Sequence, residues 1–272
     1  MNGQINRIDR AFADLATAGR KGLLPYVTAG LPDLQTTERI LYALADAGAT
    51  AVELGFPYSD PIADGPTIQS SFTRVLESGI HVKDILAMVK RFRQRCELPL
   101  LGMLSYSIVH RIGLEAFLRQ SKEAGIDGLI LPDLPIEEVP SVAKQVAETG
   151  LCLPMLVSPL SPVERRHMIA EASTGFVYYM SVTGITGERD QLPPELPENV
   201  RQLREVSGCP VVVGFGISTA DHVRLVCTEA DGAIIGSALV RRLMERIDAG
   251  DDTDALVATV TGAVKEWMTG LL

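Results

Sequence analysis

Two carboxylates in AVELGFPYSDPIADGPTIQS, residues 51–70, have the types and placement for proton transfer. Glu53 ends an apolar, strand-like run, and Asp64 follows eleven residues later in a stretch holding three prolines. A carboxyl at the end of a buried strand, with small Ala51 two residues below it on the same face, has its charged form disfavoured and suits an acid near neutral pH. A loop carboxylate converging on the same pocket from another side supplies the complementary acceptor. A plainer reading stays open from the residues alone. Glu53 could be a structural glutamate paired with an arginine or capping a backbone amide. Asp60 before Pro61 and Asp64 before Gly65 are also ordinary turn chemistry, and spacing does not tell the two aspartates apart.

A second group of residues suits an anion. VVVGFGIS (211–218) and IIGSALV (234–240) each end an apolar run with glycine, and each is expected to enter a helix, at Ser218 and at Ser237. Glycines let backbone amides approach a phosphate, and a helix N-terminus adds partial positive charge. Turn-forming glycines and serine N-caps would look the same. The stretch SVTGITGERD (181–190) has the length and small residues to close over such a site, with Gly184, Thr186 and Gly187 as candidate contacts.

Other chemistries lack their residues. Lys21 precedes the first strand-like run, and Lys83, Lys90, Lys122, Lys144 and Lys265 fall in helical segments, so no lysine stands where a Schiff base would form. His81, His110, His167 and His222 have no ligand spacing, and there is no GxSxG or Cys/His nucleophile pattern. Carboxylate acid/base chemistry on a small phosphorylated molecule remains.

The elements that must position these groups follow from periodicity. Eight short apolar runs, GLLPYVTAG, TAVELGF, LPLLGMLSY, DGLILPD, LCLPMLVS, GFVYYMS, CPVVVGFG and DGAIIGS, alternate with helical segments such as QTTERILYALADAG and GLEAFLRQSKEAG. Strict alternation means parallel strands with helical crossovers. DAGATAVEL (46–54), EAGIDGLIL (123–131) and, more loosely, TEADGAIIG (228–236) repeat a helix end followed at once by a strand, with Gly48 and Gly125 as left-handed caps. Eight βα units in 272 residues predict one closed (β/α)8 barrel, residues 1–272 as a single domain, rather than a doubly wound sheet, for which the early GxGxxG is missing. Residues 56–80 and 182–197 are expected as long loops at the C-terminal ends of strands, where such barrels carry their chemistry.

Composition sets the class of partner. A net charge of -9 with dispersed Lys and Arg argues against nucleic acid and anionic membrane surfaces. The polar N-terminus and the lack of a long apolar stretch predict a soluble, cytoplasmic protein. Cys96, Cys152, Cys209 and Cys227 are scattered and read as reduced thiols, with no metal role.

Five motifs go further. VELGFPYSDPIADGPTIQ (52–69), PYVTAGLPD (25–33), LILPDLPIEE (129–138), YYMSVTGITG (178–187) and VGFGIS (213–218) resemble tryptophan synthase alpha chains, in order and spacing over nearly the whole sequence. The resemblance implies a TIM barrel with an extra N-terminal helix that cleaves indole-3-glycerol phosphate by a retro-aldol reaction into indole and glyceraldehyde 3-phosphate. The indole passes to a beta chain within an alpha2beta2 heterotetramer. No cofactor is implied in this chain, and pyridoxal phosphate is expected in the partner. The substrate's own indole, protonated at carbon, would serve as electron sink, which accounts for the missing lysine and metal ligands.

By the same resemblance Glu53 corresponds to the catalytic glutamate and Asp64 to the aspartate that hydrogen-bonds the indole nitrogen. Tyr178 matches a tyrosine beside the substrate, with Tyr179 next to it as the other register. Tyr26, Leu104, Tyr106, Ile130 and Phe215 match the indole pocket; all five also read as barrel core, which without the resemblance is the preferred reading of Leu104 and Ile130. Gly187, Gly216, Gly236 and Ser237 match phosphate contacts, and Thr186 a loop threonine that helps order the site. Asp60 and Pro61 correspond to partner-facing residues. Two positions depart from the family pattern: Ile108, in YSIV, stands where many members carry asparagine, and Val182 follows the serine after the sixth strand. A free-standing indole-3-glycerol phosphate lyase and a non-catalytic activating subunit of a beta chain are the alternatives.

Overall fold

The computed structural model describes residues 5–61, 64–180, 193–214 and 216–272. Each apolar run contains one strand: β1 Gly22–Thr28, β2 Val52–Gly55, β3 Leu100–Met103, β4 Gly128–Ile130, β5 Met155–Val157, β6 Val177–Met180, β7 Val211–Gly214 and β8 Gly232–Ile235. Nearly every strand residue is buried, which is why the runs are continuously apolar instead of alternating: both faces of a parallel barrel sheet are covered. All recorded pairings are parallel, in the order β4-β3-β2-β1-β8-β7-β6-β5. The ring closes between β4 and β5 through an isolated bridge, Gly128 to Cys152, with Leu129 N–H donating to the Cys152 carbonyl and Cys152 N–H to that of Asp127, both at 2.9 Å. Pro154, lacking an N–H, interrupts the fifth run between that bridge and β5.

The extra N-terminal helix is α1, Arg7–Thr17. Around the barrel run α2 Leu34–Asp46, α3 Pro66–Glu77, α4 Val82–Arg93, α5 Tyr106–Ile112, α6 Leu114–Ala124, α7 Val139–Thr149, α8 Val163–Ala172, α9 Leu196–Val206, α10 Ala220–Val226, α11 Ser237–Asp248 and α12 Thr253–Met268, the last ending in a 3-10 turn, Thr269–Leu271. Gly48 and Gly125 have φ of +91° and +100°, the left-handed caps the repeat required.

Two boundaries differ from the sequence reading. Residues 56–80 are not one long loop, because Gly65 and Pro66 start α3, proline at the first helical position being pre-organised for it. Among the described residues the irregular stretch before α3 is therefore Phe56 to Pro61 with Asp64 and Gly65. The second correction is at Ser218: α10 begins at Ala220, where Thr219 caps it by accepting from His222 N–H at 3.1 Å, so Ser218 belongs to the turn. Ser237 does open α11. Of residues 182–197, those up to 192 lie outside the described residues, and α9 starts at Leu196.

The bottom of the barrel is tied by charge. Buried Asp127, at the start of β4, accepts from Arg7 at 2.9 Å, Arg93 at 3.1 Å and Leu100 N–H at 2.9 Å. Arg93 also donates to the carbonyls of Cys96, Leu98 and Gly125, at 2.9, 2.9 and 2.8 Å. Because these contacts lie at the N-terminal ends of strands, they support the cylinder without entering its chemistry.

Candidate active site

Glu53 is the charged residue of β2, and it is 1% exposed. Its Oε1 has no hydrogen-bond partner among the described residues. Burial, and then the charge of Asp64, raise its pKa from 4.5 to about 8. Among the described residues no arginine and no backbone amide satisfies Oε1, so they give the structural reading of Glu53 no support on that oxygen, and with its pKa raised the group is a neutral acid at neutral pH.

Asp64 reaches the same space from the loop. It is 6% exposed, and its Oδ2 accepts from Tyr58 Oη at 3.3 Å. Burial raises its pKa from 3.8 to about 6, with the tyrosine bond opposing the rise. The loop is held by α3: Gln69 Nε2 donates to the carbonyls of Asp64 at 2.8 Å and Pro61 at 3.2 Å, while Asp64 N–H donates to Pro61 at 3.1 Å. Tyr58 packs on Phe72 of α3 with ring centroids 5.3 Å apart. Asp60 is exposed and accepts from Ser59 at 2.8 Å, and Pro61 is buried. The two aspartates that spacing could not separate thus have opposite environments.

Two tyrosines complete the described inner wall. Tyr26 pairs in register with Glu53 across β1 and β2, so both side chains leave the sheet on the same side. Tyr178 projects from β6, and the fields of Glu53 and Asp64 reach both phenols, which burial keeps far above their ordinary pKa. Each ring depends on a glycine. A Cβ on Gly55 would lie 1.9 Å from Tyr26 Oη, and one on Gly214 would lie 2.3 Å from Tyr178 Oη. Gly55 and Gly214 were not singled out from the sequence. The available signal was a glycine inside a strand run, which often marks the close approach of another group.

After β7 and β8, Gly216 has φ +75° in the turn, and Gly236, against which Tyr26 packs, precedes Ser237 as the cap residue of α11, with no side chain among the described residues bonded to the helix end. The glycine turn and the first-turn amides of a twelve-residue helix therefore follow two neighbouring strands, the order a phosphate site uses. Phe215, Gly184, Thr186 and Gly187 lie outside the described residues. Leu104 and Ile130 are buried at the ends of β3 and β4, joined by Leu104 N–H to the Ile130 carbonyl at 3.2 Å. Tyr106 opens α5, where its N–H donates to Asp133 at 2.6 Å and its ring meets the edge of His110. Ile108, on the same helix, is 8% exposed and lines a groove of about 480 Å³ with Tyr58, Asp60, Ile80 and Arg111.

A family model, tryptophan synthase alpha chain, matches residues 12–268. The chain belongs to that family. The alpha chain of Thermoanaerobacter sp. strain X514 is 43% identical over 239 residues, spanning 88% of this chain and 91% of the relative. That of Geobacter sulfurreducens is 44% identical over 262 residues, 96% and 98% of the two. Among solved structures, the alpha subunit from Legionella pneumophila strain Paris superposes with a TM-score of 0.87 at 34% identity, covering 98% of this chain and 99% of that one. The tryptophan synthase complex of Pyrococcus furiosus gives 0.83 at 34% identity, covering 92% and 99%. The family is that of lyases of tryptophan biosynthesis, and the chain has its alpha-subunit role, cleavage of indole-3-glycerol phosphate on a TIM barrel. Among the described residues no helix is long and apolar enough to cross a membrane.

Proposed function

We propose that Glu53 and Asp64 carry the cleavage of indole-3-glycerol phosphate, as acid and stabilising anion. The observation that supports this most is the buried Glu53 carboxyl, its Oε1 without a hydrogen-bond partner among the described residues, beside a second carboxyl of lower pKa. Between about pH 6 and 8 the first holds a proton while the second is ionised.

In this reading neutral Glu53 gives its proton to the indole carbon that bears the glycerol chain, and the ionised Asp64 balances the positive indole nitrogen. The Glu53 carboxylate then takes the proton of the adjacent glycerol hydroxyl. The carbon–carbon bond breaks as that oxygen becomes the aldehyde, and the bonding pair returns to the ring. Indole and glyceraldehyde 3-phosphate result, and Glu53 ends protonated as it began. Tyr26, Leu104, Tyr106, Ile130, Tyr178 and Phe215 line the indole, while Gly187, Gly216, Gly236 and Ser237 hold the phosphate and Thr186 helps order the closing loop.

The partner in this reading is a beta chain carrying pyridoxal phosphate, in an alpha2beta2 assembly in the cytoplasm, reached by the face around Asp60 and Pro61. Its test is the steady-state cleavage rate with and without purified beta chain. Strong activation is expected, and full activity of the chain alone would point to a free-standing lyase. A Glu53→Gln variant cleaving as fast as the parent would remove Glu53 as the acid, and a parent chain that activates a beta chain without cleaving the substrate would leave only an activating subunit.

A further inference from the structure

Trp267 is the chain's single tryptophan and is fully buried at the end of α12. Its indole N–H donates to the Ser218 carbonyl at 2.9 Å, two residues beyond Gly216 in the turn after β7. Arg242 of α11 lies over its ring, 4.9 Å from the centroid, and is paired at 2.7 Å with Glu266, the neighbour of Trp267. One aromatic side chain therefore touches both walls of the phosphate cradle, the Gly216 turn by a hydrogen bond and α11 by a cation stacked on its face. The turn following α12 adds a second fastening. A Cβ on Gly270 would lie 2.2 Å from the Ala220 carbonyl oxygen, so the C-terminal segment lies directly against the first residue of α10.

Among the described residues the Gly216 turn is otherwise held by the buried side chain of Ile217 and by weak polar contacts. Ser218 N–H approaches His222 Nδ1 at 3.4 Å, a long contact, and Thr219 is engaged in capping α10. A glycine at positive φ supplies no side chain to hold it. Trp267 thus bears on the Gly216 turn and on α11 from behind, in addition to the packing of Ile217.

We infer that Trp267 is a positioning residue for phosphate, setting the Gly216 turn against the N-terminus of α11. This rests on the phosphate assignment proposed above. The full chain and its Trp267→Phe variant would be titrated with glycerol 3-phosphate and, separately, with indole, by calorimetry. Phenylalanine keeps the ring but leaves the Ser218 carbonyl without its donor. Glycerol 3-phosphate binding should weaken about tenfold, the scale of one lost buried hydrogen bond, with indole affinity unchanged. In turnover, KM should rise while kcat stays within about twofold. In the parent, binding of glycerol 3-phosphate should also shift the emission of the lone tryptophan.

Equal glycerol 3-phosphate affinity in parent and variant would overturn the inference, as would equal losses for both ligands, which would mean general support of the fold. Should Trp267→Phe fail to fold, Arg242→Leu and the parent's emission decide: weaker glycerol 3-phosphate binding and a ligand-dependent shift sustain it, and absence of both overturns it. Gly236→Val separates the two levels. If that variant binds glycerol 3-phosphate like the parent, the phosphate assignment itself falls. If it loses binding while Trp267→Phe keeps it, only the role of Trp267 does.

Discussion

Glu53 and Asp64 are held at different proton affinities by burial, and both consequences are measurable. The kcat/KM profile should be bell-shaped, with limbs near pH 6 and pH 8 that belong to the pair, since only between them is one group ionised and the other protonated. Stability should run the other way from that of a salt-bridged acid. Both groups keep protons to higher pH when folded than when unfolded, so their contribution is full below about pH 4 and is lost as pH rises through 6 and then 8. Glu53→Gln, which cannot ionise, should therefore abolish turnover yet be more stable than the parent at pH 9, by about 2 kcal/mol in chemical denaturation. Gly55→Ala would put a methyl against the Tyr26 phenol and should lower kcat/KM about 10²-fold with the circular dichroism of a folded barrel. The glutamate was legible because a charge ending an apolar strand is conspicuous. The need for Gly55 was not, because it comes from a ring on the neighbouring strand.

The element that sets Asp64 is α3, and Gln69 is its grip on the loop. Gln69→Ala removes bonds to two loop carbonyls and should cost about 1 kcal/mol in thermal or urea unfolding. It should also cut kcat/KM about tenfold through a displaced Asp64, leaving glycerol 3-phosphate affinity unaltered. Strand positions and left-handed caps were readable along the chain because both are local patterns. The start of α3 was readable too, in Gly65 and Pro66, but the density of proline upstream masked it as loop. At α10 the choice between Ser218 and Thr219 as first capping residue turns on which hydroxyl reaches an amide, and two adjacent hydroxyl residues do not reveal that.

For the whole molecule, the contacts between distant parts were the least legible. Asp127 meets Arg7 across 120 positions of sequence, and no local pattern announces it. Asp127→Ala would take the counter-charge from Arg93 and the acceptor from the Leu100 amide in the interior and should cost about 3 kcal/mol in urea denaturation. Turnover of the remaining folded chain should stay near that of the parent, since the network is at the end of the barrel away from Glu53. The closure between β4 and β5 has a consequence of a different kind. With the order β4-β3-β2-β1-β8-β7-β6-β5, that thinly bonded joint is diametrically opposite the β1–β8 pair, which β2 and its glutamate flank on one side and β7 with its glycine turn on the other. A cylinder with one weak stave opens there first. Opening at that joint would leave the β1–β8 pair and its flanking strands β2 and β7 joined, so the barrel can flex as a clasp does without separating the strand that carries Glu53 from the strand that leads into the glycine turn.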